Sequence, residues 1–113
     1  MKYQNGNATI EIQSNGTRII ECPEDKLNLE YPLNIDIRVS SKCSFGLNPD
    51  NGKSVCSFCH ESAKTNGVEC DYAVLLEKLS PLPAGIELAI GSNELTSGLI
   101  EFLQGAKSKG FVC

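Results

Sequence analysis

Three of the six cysteines in this chain lie close together in the sequence, and they are its best candidates for chemistry. Cys56 and Cys59 form a Cys-x-x-Cys pair, whose two thiolates can bind one metal centre from a single turn. Cys43 precedes the pair, and segment 48–52 between them is rich in turn-forming residues. Because such a segment can fold the chain back on itself, we expect Cys43 to lie beside the pair.

Three chemistries fit this pattern. The first is an iron–sulfur cluster held by three cysteines, with one iron left open for a ligand. The second is a structural zinc site, whose fourth ligand would be His60 or Cys70. The third is a redox Cys-x-x-Cys motif. Such motifs usually begin a helix soon after a strand, and loop 40–70 is too long for that arrangement. The remaining cysteines are expected to be small buried hydrophobes: Cys22, Cys70 and Cys113.

Composition narrows the class of protein. The 113 residues, 41% hydrophobic and 21% charged, are typical of one small folded domain or a piece of a larger one. A net charge of -4 argues against nucleic acid as the main partner. No apolar run approaches the ~20 residues that span a bilayer, and residues 1–10 lack a signal-peptide core. These features predict a cytoplasmic protein with reduced thiols rather than disulfides.

The first 32 residues are predicted to form an antiparallel β-meander, the first of two parts of the chain. Apolar and polar residues alternate in 8–13, and a second β-branched run follows at 17–21. Asn-Gly turns precede each of these runs, one of them at residues 5–7. Segment 27–31 is predicted to be a further short strand.

The second part, residues 33–113, is predicted to alternate strands and helices. Apolar residues occupy every second position of the strand 33–39. Such alternation favours a parallel sheet with helical crossovers. The long cysteine-bearing loop 40–70 is of the kind that usually carries function. The other predicted elements are a short helix from Cys59 to Lys64, helix 71–79, strand 86–90, turn 91–94, helix 95–108 and the start of a third strand at 111–113.

Position favours the cluster over zinc. Ligands of parallel α/β proteins gather at the carboxyl ends of the strands. Cys43 follows strand 33–39, and Gly91-Ser92-Asn93-Glu94 follows strand 86–90, so both are expected at one edge. A structural zinc would not need the second loop, whereas a cluster with a bound small molecule would.

At these residues the chain resembles the N-terminal part of the radical S-adenosylmethionine (radical SAM) superfamily. In that superfamily a first barrel strand leads into a loop with three cysteines, and an aromatic residue usually precedes the third. Phe58 stands at that place before Cys59. Residues 91–94 occupy the place of a Gly-Gly-Glu-Pro-like turn. Twelve residues separate Cys43 from Cys56 here, where most members of the superfamily have three.

The resemblance implies an α/β fold, with the meander followed by the first βα units of a partial (βα) barrel. It implies that Cys43, Cys56 and Cys59 ligate three irons of a [4Fe–4S] cluster, and that the fourth iron binds S-adenosylmethionine. Reductive cleavage of that cofactor would give a 5′-deoxyadenosyl radical. The cofactor-binding residues would be Phe58, near the adenine, and Gly91, Ser92, Asn93 and Glu94, near the methionyl amino group. Activity is expected only where further strands complete the barrel.

The second hypothesis is a non-catalytic interaction protein, such as a phage-encoded inhibitor or regulator, with a structural zinc or no metal. The edge of the final strand at 111–113 would then pair with a protein partner or a second copy of the chain.

Overall fold

A computed structural model describes residues 1–53, 55–56, 58–59 and 66–113 of the chain. The predicted short helix from Cys59 to Lys64 falls almost wholly on residues outside this part. The described elements are β1 (Lys2–Asn5), β2 (Ala8–Ile12), β3 (Arg18–Glu21), β4 (Asn34–Arg38), α1 (Tyr72–Leu79), β5 (Glu87–Gly91) and α2 (Ser97–Ser108).

The N-terminal strands form the predicted antiparallel meander, in the order β1-β2-β3. Ile10 lies opposite Tyr3 on one side and Ile20 on the other. The turn between β1 and β2 requires Gly6, whose φ is +58°. A Cβ at Gly6 would lie 1.9 Å from the carbonyl oxygen of Asn28, so no other residue fits without moving the backbone.

Two asparagines of this turn bind segment 26–31 through its backbone. The buried Asn5 donates from Nδ2 to the Tyr31 carbonyl (2.8 Å), and its Oδ1 accepts from the N–H groups of Glu30 (3.0 Å) and Tyr31 (2.9 Å). The Asn7 side chain bonds in the same way to the Asn28 N–H (2.7 Å). The predicted strand at 27–31 is therefore wrong, because the Asn5 side chain and the side chain and N–H of Asn7, rather than a neighbouring strand, bond to its backbone groups.

The second sheet is parallel, as predicted. β4 pairs with β5, with Ile35 opposite Leu88 and Ile37 opposite Ile90. Val112 forms a parallel bridge on the other edge of β5, donating to the Ile86 carbonyl at 3.0 Å. The three parallel segments thus follow one another across the sheet in chain order, and the protein has a mixed α/β fold.

One face of the parallel sheet packs on both helices. The buried core residues come from the sheet, the helices and the final segment: Val39, Leu79, Ile86, Leu88, Leu99, Phe102, Ala106 and Phe111. The opposite face carries Asp36, Arg38 and Ala89, all of them exposed. In the part of the chain that the structure describes, neither helix is long and apolar enough to cross a membrane.

Capping side chains set where the helices begin. Asp71 caps α1 by accepting from the N–H groups of Ala73 and Val74. Thr96 caps α2 by accepting from the Leu99 N–H. Helix α2 therefore begins at Ser97 rather than at Leu95. Leu95 lies before the cap and is 74% exposed, so the predicted start of the helix at residue 95 is wrong.

Replacing Asn5 tests how much the turn stabilises the fold. Asn5→Ala removes three hydrogen bonds and leaves part-buried backbone groups without partners. At about 1 kcal/mol for each bond, we expect a loss of roughly 3 kcal/mol in the free energy of unfolding. Asn15→Ala in the exposed β2–β3 turn, where one bond to the Thr17 N–H is lost, is the control and should cost less than about 1 kcal/mol. Urea unfolding measures both, and equal losses would contradict the account.

Candidate functional site

The loop that carries Cys43 is hydrogen-bonded to the turn that follows β5. The Glu94 carboxylate accepts from the Ser44 N–H (2.5 Å) and from the Ser44 hydroxyl through the same oxygen, Oε1. Nearby, the Asn93 amide donates to the Lys42 carbonyl at 3.3 Å. Lys42 and Ser44 flank Cys43 on both sides. The structure therefore places Cys43 beside residues 91–94, at the carboxyl ends of β4 and β5.

Glu94 is the central acceptor of this contact. The hydrogen bonds from the Ser44 side chain and backbone lower the pKa of the Glu94 carboxyl, and the positive charge of Lys42 adds to the effect. Glu94 is thus a carboxylate at neutral pH. The Ser92 hydroxyl donates to the Glu94 carbonyl at 2.9 Å, which fixes the shape of the turn around the carboxylate.

The cysteine loop is closed by a backbone hydrogen bond between the Val55 N–H and the Gly46 carbonyl, at 3.1 Å. Inside it, the Asn48 N–H donates to the Lys53 carbonyl at 2.8 Å, in the turn that the sequence predicts. Cys43 lies three residues before this closure and Cys56 one residue after it. The path from Cys43 to Cys56 through the Gly46–Val55 hydrogen bond therefore passes only residues 44–46 and 55. The two cysteines are connected by this short path despite their long separation in the sequence.

The Cys-x-x-Cys pair forms a tight turn, in which the Cys59 N–H donates to the Cys56 carbonyl at 3.1 Å. Phe58 within this turn is 78% exposed. Cys43, Cys56 and Cys59 are all half-buried, and no disulfide joins any cysteines of the described chain. Among the described residues, no group of three or more His, Cys, Asp or Glu side chains could hold a metal ion. His60, the alternative zinc ligand, lies outside the described residues.

Cys70 belongs to the core rather than to the loop. Its side chain packs against the hydrophobic core, and its N–H donates to the Val39 carbonyl at 2.8 Å. Burial, and then the charges of Glu69 and Asp71, raise the pKa of the Cys70 thiol. Metals bind thiolates, so these surroundings disfavour Cys70 as a ligand. The half-buried Cys70 agrees in part with the prediction of a small buried hydrophobe, whereas that prediction is wrong for Cys113, which is exposed.

Glu69, near the end of the cysteine loop, is a functional candidate that no sequence motif indicates. Its Oε1 accepts from the Tyr72 hydroxyl at 2.6 Å and from the Thr96 hydroxyl at 2.5 Å. These bonds lower the pKa of the Glu69 carboxyl. No spacing in the sequence indicates the contact with Thr96, because it joins residues 27 positions apart.

Two open cavities adjoin these residues. One, of about 250 Å³, is lined by Ile90, Leu99 and the turn 92–95. The other, of about 560 Å³, lies along residues 36–38 of β4 and 89–91 of β5. Space for a small molecule therefore exists beside the turn and along the exposed face of the parallel sheet.

The two glutamates predict a specific response to acid. A carboxyl whose pKa is lowered on folding stabilises the protein above its unfolded pKa, and this contribution is lost as pH falls through the folded pKa. We expect the melting temperature to fall below pH 4.5, with a shallower fall in the Glu69→Gln/Glu94→Gln variant. Glu101→Gln on the exposed side of α2 is the control and should follow the wild type. A double variant with the same acid profile as the wild type would contradict this interpretation.

The chain matches no family model, no curated protein and no solved structure.

Proposed function

We propose that this chain is the N-terminal part of a radical S-adenosylmethionine domain. In this proposal Cys43, Cys56 and Cys59 hold a [4Fe–4S] cluster, and the turn 91–94 binds S-adenosylmethionine. The observation that carries the proposal is the pair of hydrogen bonds from Ser44 to Glu94. They join the residue next to Cys43 to the proposed cofactor turn, 50 positions away in the sequence.

The donor set of the loop suits a cluster. Thiolates are the usual ligands of iron–sulfur clusters, and three cysteines rather than four leave one iron for another ligand. The hydrogen bond between Val55 and Gly46 supports the joint use of Cys43 and Cys56 despite their separation. When bound, the cluster would supply the electron for reductive cleavage of the sulfonium.

The turn and the aromatic residue suit the cofactor. The Glu94 carboxylate, with Gly91, Ser92 and Asn93 beside it, can pair with an ammonium group through a charge-assisted hydrogen bond. Phe58 is exposed, and in this proposal the backbone near it would meet the adenine. The chain itself would bind and orient the methionyl end of the cofactor.

The architecture supports a partial (βα) barrel. Three parallel segments follow chain order, and the helices cover one face of their sheet. The exposed face with Asp36, Arg38 and Ala89 would then face the barrel interior. Reduced thiols and a cluster fit the cytoplasm, where this protein would act.

Metal analysis tests the proposal most directly. Protein purified without oxygen should contain iron and matching sulfide. Cys43→Ala, Cys56→Ala and Cys59→Ala should each lose most of both. Cys22→Ala and Cys113→Ala are matched controls, because these cysteines lie outside loop 40–70, and they should retain the wild-type content. One zinc per chain and no sulfide would overturn the cluster and leave a structural site.

Cofactor binding is the second test. Cluster-loaded protein should bind S-adenosylmethionine, as measured by equilibrium dialysis. Glu94→Gln should weaken binding about tenfold, roughly 1.4 kcal/mol, because the amide lacks the charge that attracts the ammonium. Glu101→Gln should bind as the wild type does. A wild-type chain that carries the cluster but binds no cofactor would refute the role of the turn.

Protein docking is the second candidate function. It is favoured by large apolar side chains that are more than two-thirds exposed in loop 40–70 and directly after the turn 91–94, namely Phe45, Phe58, Val68 and Leu95. If the purified chain holds neither iron nor zinc, a non-catalytic interaction protein becomes the better account. Self-association that Phe45→Ser and Leu95→Ser abolish in gel filtration would then identify a second copy as the partner.

A further inference from the structure

Glu69 lies where the cysteine loop returns to the body of the protein. Its backbone forms an isolated antiparallel bridge with Ser40, at the start of the same loop. Next to this bridge, the Ser41 N–H donates to the Val68 carbonyl at 2.9 Å. Backbone hydrogen bonds therefore connect the two ends of loop 40–70, and Glu69 takes part in this connection.

The Glu69 side chain connects this point to both helices. Oε1 accepts from Tyr72, the first residue of α1, and from Thr96, the N-cap of α2. The Thr96 hydroxyl in turn accepts from the Leu99 N–H at 3.2 Å. Thr96 follows Glu94 by two residues. The hydrogen bond from Thr96 to Glu69 therefore fixes the chain directly after the turn 91–94.

Tyr72 makes contacts through both its hydroxyl group and its ring. Its phenol donates to Glu69, and its ring packs on α2, where a Cβ at Gly98 would lie 3.1 Å from two ring carbons. The ring centroid lies 5.6 Å from that of Phe102. Burial, followed by the bond to Glu69, raises the pKa of Tyr72 to about 12. The phenol therefore keeps its proton and donates a hydrogen bond to Glu69 throughout the neutral range.

The turn 91–94 is thus tied to the cysteine loop twice, once by Glu94 to Ser44 and once by Glu69 to Thr96. The first tie uses the carboxylate that would pair with the ammonium of a bound cofactor. The cofactor and Ser44 therefore compete for Glu94. The second tie uses no atom of the turn 91–94, so it persists when Glu94 changes partner.

We propose that Glu69 is a positioning residue, which keeps the turn 91–94 beside the cysteine loop while Glu94 binds the cofactor. This inference rests on the proposed function. It assigns Glu69 no contact with the cofactor. Its effect on binding is transmitted through Thr96.

Two measurements on Glu69→Ala, Glu69→Gln and Glu101→Ala test the proposal. In the cluster-free chain, the rate of Cys70 alkylation is followed by peptide mass spectrometry. Glu69→Ala and Glu69→Gln both remove the charge that helps to raise the pKa of the Cys70 thiol, so a difference between these two variants reports opening of the loop end next to Glu69. We expect alkylation at least fivefold faster in Glu69→Ala than in Glu69→Gln, with Cys113 alkylated at an unchanged rate. In the cluster-loaded protein, S-adenosylmethionine binding per iron should weaken about tenfold in Glu69→Ala. Glu69→Gln should remain within threefold of wild type, because its amide oxygen still accepts both hydrogen bonds. Glu101→Ala should behave as wild type in both assays.

Tyr72→Phe gives a milder variant if Glu69→Ala fails to fold. It keeps the ring packing and removes one of the two hydrogen bonds, so binding should weaken two- to threefold. Unchanged Cys70 alkylation and unchanged binding in these variants would overturn the positioning role. Faster alkylation with unchanged binding would also overturn it and leave Glu69 a structural residue. If the cluster-loaded wild type binds no cofactor, the proposed function itself fails, which the wild-type measurement shows before any variant is compared.

Discussion

Parallel pairing of β4 with β5 is the constraint on which the rest of this structure depends. It brings the carboxyl ends of two strands to one edge, so that the loops following them must meet. The register is set by the large apolar residues of both strands, Ile35, Ile37, Leu88 and Ile90, which pack on the side of the helices. A slip of one residue would turn that face toward solvent and expose the core. The contact of Val39 N–H with the Gly91 carbonyl (3.0 Å) continues the pairing to the point where the cysteine loop departs.

The N-terminal meander packs at the opposite end of this sheet. The Tyr3 hydroxyl donates to the Gly85 carbonyl at 3.4 Å, and Arg18 forms an ion pair with Glu87 at 2.9 Å. Gly85 has a φ of +94°, and a Cβ there would lie 2.4 Å from the Tyr3 ring. Both contacts lie just before or at the amino end of β5. The meander therefore supports the end of the strand away from the candidate site and leaves the carboxyl end open.

The cysteine loop shows how a long connection acquires a defined path. A free loop of this length would lose considerable conformational entropy on ordering. Hydrogen bonds at three levels reduce the number of paths it can take: the Ser40–Glu69 bridge at its ends, the Ser44–Glu94 contact near Cys43, and the Gly46–Val55 closure within it. One of the three, the Ser44–Glu94 contact, uses an acidic side chain held as a carboxylate. A cluster on such a loop would therefore bind to a path already restricted at its ends.

The sequence by itself determined the meander, the parallel α/β part and the edge at which Cys43 and the turn 91–94 meet. These depend on local alternation, on turn residues and on the geometry of parallel strands, all of which can be read from neighbouring residues. It misplaced segment 27–31 and the start of α2, because distant asparagines and a capping threonine decided those boundaries. Only the tertiary structure revealed Glu69, the closure of the loop at Gly46 and Val55, and the partner of Glu94. Each is a hydrogen bond between residues far apart in the chain or within a segment without periodicity, and their energies depend on distances that folding alone sets.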